Sequence, residues 1–141
     1  MSKTVLSEAI RDIVRLRGGY CCEYCKSQDK FSPVHFTIDH ILPLIEGGTN
    51  DLENLAYACM LCNRFKWKSV LAFDPVTNTM VSIYNPRLDL WKDHFQWGEA
   101  YLSIIGISPI GRATVAALQL NREKLVSYRR SMVEIGHHPP I

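Results

Sequence analysis

The protein has 141 residues, 47% of them hydrophobic, which suits one compact domain with a core of its own. No run of about 18 apolar residues is present, and charges interrupt the N-terminal segment where a signal peptide would stay apolar. We therefore expect a single domain, residues 1–141, that is soluble, cytoplasmic and not bound to a membrane. Its five cysteines then favour metal binding over disulfides, because the cytosol keeps thiols reduced.

The formal net charge of +2 counts the cysteines as neutral. Four thiolates bound to one divalent ion would bring that charge to about 0. Bulk charge therefore neither favours nor excludes a nucleic-acid partner, and only the placement of lysine and arginine is informative.

The first predicted element is a helix over residues 4–17, which the two glycines at 18 and 19 end. Apolar residues recur along it at spacings of three and four, and they predict a buried face formed by Val5, Ala9, Ile13 and Leu16.

A tight turn carrying Cys22-x-x-Cys25 follows, and a strand is predicted over residues 36–42. Residues 47–50 read Gly-Gly-Thr-Asn and predict a loop. The composition and acidic start of residues 51–58 predict a helix. The second pair, Cys59-x-x-Cys62, runs directly into a helical turn rich in cations.

Two CxxC pairs can bring four thiolates to one tetrahedral ion, because each pair bends through a turn and offers two sulfurs on one side. Cys22, Cys25, Cys59 and Cys62 therefore predict a structural zinc site, and Cys21 is left as a non-ligand. An all-cysteine set leaves no open position for water, so this ion should not be catalytic. The alternative is that the four cysteines are merely small buried residues.

In the C-terminal part, residues 74–78 predict a turn between short strands, the second of them at 81–84. Ser108 followed by Pro109 predicts a capped helix start, and a last helix is predicted from about Asn121. His94 lies among aromatic residues, which favours a core or hydrogen-bonded histidine over a catalytic one. Five cations of the terminal helices could contribute to a surface that binds a nucleic-acid duplex. These are Arg112, Arg122, Lys124, Arg129 and Arg130.

The residues between the cysteine pairs resemble the HNH endonuclease family. The resemblance rests on the CxxC frame, Ile38-Asp39-His40-Ile41-Leu42-Pro43, Gly47-Gly48, Asn50, Asn54 and Asn63. It implies an α+β protein with a ββα-metal core over residues 20–70, clamped by the four-cysteine zinc site. An N-terminal helix (residues 1–19) and a C-terminal strand and helix extension (residues 71–141) would flank that core. Residues 73–130 resemble, more loosely, the C-terminal part of some bacterial HNH proteins.

The resemblance also implies roles for four residues. His40 would be the general base, Asp39 and Asn63 would hold one divalent ion (Mg²⁺ or Mn²⁺), and Asn54 would brace the loop. The last position departs from the family name, since it is asparagine and not histidine, but an amide oxygen can still bind a hard cation. The implied activity is hydrolysis of phosphodiester bonds, in DNA rather than RNA.

Each of these residues also has a structural interpretation. Asp39 and His40 could be a surface pair at a strand end, Asn54 a residue bonding a loop, and Asn63 a plain helix cap. The whole protein could be a catalytically inactive zinc-dependent binding module, or a purely structural zinc protein. Arg64, Lys66 and Lys68 could contact phosphates, or could form a solvated cationic face around a buried Trp67.

Overall fold

The computed structural model describes residues 6–140, in which helices alternate with small antiparallel sheets. This is the α+β class that the family resemblance implies. The helices are α1 (Glu8–Arg17), α2 (Met60–Lys66), α3 (Trp91–His94), α4 (Pro109–Leu118) and α5 (Glu123–Glu134). The strands are β1 (Thr37–His40), β2 (Leu55–Ala58), β3 (Leu71–Asp74), β4 (Thr79–Ser82), β5 (Phe95–Trp97) and β6 (Ile104–Gly106).

A ββα unit, β1-β2-α2, carries the residues of interest. Strand β1 pairs antiparallel with β2, so that His40 lies opposite Leu55. The predicted helix over residues 51–58 is wrong, because this segment is a short 3-10 turn, Leu52–Asn54, followed by β2. All four residues of β2 are buried. Burial on both faces and pairing with β1 outweigh the weak helical preference of its leucine and alanines.

Helix α1 is confirmed, but its predicted buried face is wrong. Ser7 caps the helix by accepting a hydrogen bond from the backbone N–H of Ile10, and Val14 is its buried residue. Leu6, Ile10 and Val14 form the packed stripe against Leu55 and Tyr57 of β2. Members of the predicted face lie toward solvent, with Ile13 46% and Leu16 64% exposed, while Val5 lies outside the described residues. Two apolar stripes fit the same helical period, and contact with β2 selects between them.

The C-terminal extension contains the predicted turn and capped helix start, while the strand predicted at 81–84 is β4, Thr79–Ser82. A turn joins β3 to β4, and the Ser108 hydroxyl caps α4 by accepting the backbone N–H of Gly111 at 2.9 Å. His94 is hydrogen-bonded through Nδ1 to the same hydroxyl at 2.6 Å, as the structural interpretation expects. The β5–β6 pair was not predicted from the sequence.

One buried cluster combines the four cysteines of the two CxxC pairs with residues of the extension such as Phe95, Ile104 and Leu118. The extension therefore packs directly behind the metal-binding frame. Within residues 6–140, the structure has no helix that is both long enough and apolar enough to cross a membrane.

Candidate active site and metal centre

Four cysteine sulfurs meet in the interior, next to the ββα unit. Cys22 and Cys25 lie in the turn after α1, while Cys59 caps α2 by accepting the backbone N–H of Cys62 at 3.4 Å. All four sulfurs lie within 4.8 Å of one another, and those of Cys25 and Cys59 are 3.8 Å apart. Tetrahedral zinc with bonds of about 2.3 Å needs roughly 3.8 Å between sulfurs. The cluster thus forms a metal site compatible with zinc, and Cys21 is outside it.

Arg122 lies against this cluster, not on a duplex-binding surface. Its Nη2 is 3.6 Å from the sulfur of Cys59, its Nη1 is 3.8 Å from that of Cys62, and its guanidinium lies over the ring of Phe65. Burial opposes its charge, but the neighbouring cysteines outweigh burial and raise the pKa of Arg122. Arg122 would therefore offset the negative charge of the four thiolates of a metal-bound cluster.

Two more cations proposed for a duplex surface have structural partners. Arg112 forms paired hydrogen bonds of 2.9 and 3.0 Å with the carboxylate of Asp74. Arg129 is 1% exposed and donates to the carbonyl oxygens of Leu102 and Leu120. Of the five cations, Lys124 and Arg130 remain exposed, so the predicted surface on the terminal helices is largely wrong.

A cleft of about 320 Å³ opens beside β1 and α2, and it brings three predicted site residues together. Asp39 and His40 come from the end of β1, and Asn63 from the middle of α2. Trp67 and Lys68, just after α2, complete the same side of the cleft. The other lining residues come from β1 and the loop after it, and they are Ile38, Pro43, Leu44 and Ile45.

His40 is half-buried and its ring is held by an asparagine. Its Nε2 lies 2.7 Å from Oδ1 of Asn50. An amide oxygen can only accept, so Nε2 carries the proton in this contact. The neutral ring therefore keeps its lone pair on Nδ1. Asn50 belongs to the pattern that resembles the HNH family, but the sequence did not indicate this contact.

Asn54 lies outside the cleft lining and holds the loop that follows β1. Its Oδ1 accepts the backbone N–H of Leu42 at 2.8 Å, and its Nδ2 donates to the carbonyl oxygens of Leu42 and Thr49. Gly48 passes so close that an added Cβ would lie 1.8 Å from the carbonyl oxygen of Leu42. These contacts set the path of the loop that carries Asn50 to His40.

Asp39 points to the opposite side of β1 from His40, toward α2, as alternation along a strand requires. It is 3% exposed, and its Oδ2 accepts the hydroxyl of Tyr24 at 2.7 Å. Burial raises the pKa of Asp39, although the charge of Lys66 and the hydrogen bond from Tyr24 act in the other direction. Tyr24 was not among the predicted site residues. Its position in the sequence between Cys22 and Cys25 could have indicated that it lies close to the site.

Lys66 is the main correction to the predicted nucleic-acid contacts. It is 1% exposed, and its ammonium lies 3.3 Å from both oxygens of Asp39 while donating to the carbonyl oxygens of His40 and Ile41. It therefore cannot reach a phosphate. Helical spacing could have indicated that Lys66 is buried, since it lies four residues after Cys62 and so shares the inward face of that cysteine.

Arg64 and Lys68 are exposed, as the predicted phosphate contacts require. The interpretation of Trp67 as a buried residue is wrong, since the side chain is 71% exposed. The ammonium of Lys68 lies 4.8 Å from the centre of its ring.

Comparison with protein families matches residues 22–68 to the HNH endonuclease family. No curated protein and no solved structure matches the chain. The matched segment contains both cysteine pairs and every residue of the cleft, and HNH proteins are nucleases, which act on nucleic acids. Residues 22–68 of this chain thus match the HNH endonuclease family, and they contain a ββα unit next to four cysteines that are positioned to form a metal site.

Proposed function

We propose that the protein is a metal-dependent endonuclease that hydrolyses phosphodiester bonds in DNA. The observation that carries this proposal is the single cleft lined by Asp39, His40 and Asn63. It matters because hydrolysis needs a base for water beside ligands for a cation. We place this activity in the cytoplasm and in one domain comprising the whole chain.

His40 is the general base in this proposal. The hydrogen bond from Nε2 to Asn50 orients the ring and leaves Nδ1 to accept a proton from water. Asn54 acts on this base indirectly, by holding the loop that carries Asn50.

Asp39 and Asn63 would hold the catalytic cation, Mg²⁺ or Mn²⁺. Both residues line one cleft and have side-chain oxygen atoms, the donor type that hard cations prefer. A carboxylate has about four lone-pair positions, so Tyr24 and Lys66 leave acceptor capacity on Asp39. Such a cation supplies charge stabilisation at phosphorus and at the leaving oxygen.

The four cysteines would hold zinc in a structural role, since a closed all-sulfur set leaves no position for water. Arg64 and Lys68 would contact phosphates beside the bond that is cut. Both are exposed, and Lys68 lines the cleft.

One observation favours a second candidate, a catalytically inactive nucleic-acid-binding module. The ammonium of Lys66 lies 3.3 Å from the Asp39 carboxylate and would repel a divalent cation there. The two candidates differ in whether DNA is cut or only bound.

The test incubates the purified protein with supercoiled plasmid, single-stranded DNA and RNA, each with EDTA, Mg²⁺ or Mn²⁺. We expect metal-dependent cutting of DNA that EDTA abolishes. His40→Ala should lower the rate on the order of 10²-fold or more while DNA binding persists. His35→Ala is the matched control, because His35 is exposed and outside the cleft. Binding without cutting by the wild type would support the inactive module instead.

A further inference from the structure

Trp67 is a large aromatic side chain that the fold leaves in solvent at the mouth of the candidate active site. It is 71% exposed, although tryptophan is highly buried on average. The residue lines the cleft that also contains Asp39, His40 and Asn63. An exposed ring at this place is available to whatever molecule enters the cleft.

The backbone holds Trp67 in a conformation that favours glycine. The residue ends α2 with φ 48° and ψ −119°, in the left-handed half of the map, where a bulky side chain is a genuine outlier. Its backbone N–H still donates to the carbonyl oxygen of Asn63 at 2.8 Å. The preceding residue, Lys66, is fixed by the buried contact with Asp39. Unfavourable backbone geometry concentrates at ligand-binding sites, where the surrounding contacts maintain it.

One cation beside the ring and another exposed on α2 match a charged ligand that carries aromatic groups. Lys68 lies 4.8 Å from the ring centre, and Arg64 is exposed on α2. Nucleic acid presents bases and phosphates together, and proteins bind it by combining aromatic platforms with cationic side chains. A purely apolar partner would leave these charges unused.

We propose that Trp67 stacks on a nucleobase next to the phosphate that is cut, and so positions the strand in the cleft. This inference rests on the proposed nuclease function. Stacking needs a base that is out of the duplex, so substrates with an accessible base at that position, such as single strands, mismatches or branches, are preferred over perfect duplex.

The experiment uses oligonucleotides in which one abasic site is moved stepwise across the cleavage position. Loss of a stacked base corresponds to about 5- to 150-fold in affinity or rate. Wild-type protein should lose a factor in this range at one abasic position only. Trp67→Leu, which keeps apolar bulk without a ring, should lose it on intact DNA and show no further loss at that position. Trp67→Phe should retain most of the activity.

Two readouts keep this inference separate from the nuclease activity. With zinc-loaded protein and no added Mg²⁺ or Mn²⁺, 2-aminopurine at the identified position should be quenched by wild-type protein and not by Trp67→Leu. Quenching without cleavage would refute the nuclease and retain the stacking, whereas cleavage with equal rates for wild type and Trp67→Leu would refute the stacking alone. Trp67→Gly should be at least as stable as wild type, because glycine accepts the backbone conformation, yet be as defective as Trp67→Leu. A stability loss in Trp67→Gly matching its loss of activity would show a merely structural residue and overturn the inference.

Discussion

The buried Lys66–Asp39 pair offers the sharpest test of how the cleft is supported. Replacement of Lys66 by methionine keeps most of the side-chain volume but removes the ammonium. That group contacts both oxygens of Asp39 at 3.3 Å and the carbonyl oxygens of His40 and Ile41 at 3.2 and 3.0 Å. Because Lys66 and Asp39 are 1% and 3% exposed, water cannot replace the lost donor without structural change.

Breaking a buried ion pair by removing one partner costs about 3–5 kcal/mol, because the other charge is left uncompensated. Lys66→Met should therefore unfold at roughly 10–20 °C below wild type, given a few degrees per kcal/mol for a chain of this size. The free energy of unfolding is measured by urea titration of the zinc-loaded protein.

The double variant Lys66→Met/Asp39→Asn is the matched control, since it removes both charges at once. Replacing a buried pair by neutral groups is often close to neutral for stability, so the double variant should recover much of the loss. Lys92→Met controls for the substitution itself, because Lys92 is exposed. A Lys66→Met protein within about 1 kcal/mol of wild type would refute a buried, energetically coupled pair.

Three further predictions concern the metals and pH. Cys62→Ser should lose zinc and much of the fold, and metal analysis with circular dichroism decides this; a folded variant together with zinc-free wild type would contradict it. Asn63→His should keep some activity with a higher ratio of Ni²⁺ to Mg²⁺ rates, while Asn63→Ala should be inactive with every metal; an unchanged metal ranking would exclude Asn63 as a ligand. Burial lowers the pKa of His138, so its contribution to stability is present above its unfolded pKa of about 6.5 and is lost as the pH falls through the folded-state pKa. His138→Gln should therefore lose less stability than wild type between about pH 7.5 and 5.5, measured by urea titration, and equal losses would contradict this.

Features encoded by a few neighbouring residues could be predicted from the sequence. The paired spacing of the cysteines is enough to predict the four-sulfur cluster, because each CxxC pair closes its own turn. Ser108 and Pro109 likewise specify the start of α4, because the Ser108 hydroxyl caps the helix and the proline ring suits its first position. Asp39, His40 and Asn63 could be brought to one cleft only through the family resemblance, since their spacing alone does not determine a contact.

Features that depend on distant contacts could not be predicted. Residues 55–58 have a helical composition, and only pairing with β1 and burial on both faces make them a strand. The choice between two apolar stripes on α1 depends on β2, which was itself assigned wrongly. The β5–β6 pair is short, and its close packing on α4 requires glycine at 111, where a Cβ would lie 1.9 Å from the carbonyl oxygen of His94.

Helix α2 explains why the metal centre and the cleft depend on each other. Its inward face carries Cys62 and, one turn later, Lys66, while Asn63 and Trp67 occupy the neighbouring face at the cleft. The helix has only seven residues, too few to be stable alone. A metal ion bound at Cys59 and Cys62 would therefore fix its first turn, and with it the rotation that brings Lys66 to Asp39 and Asn63 to the cleft. Loss of the structural metal should thus disorganise the cleft even though none of its lining residues is a cysteine.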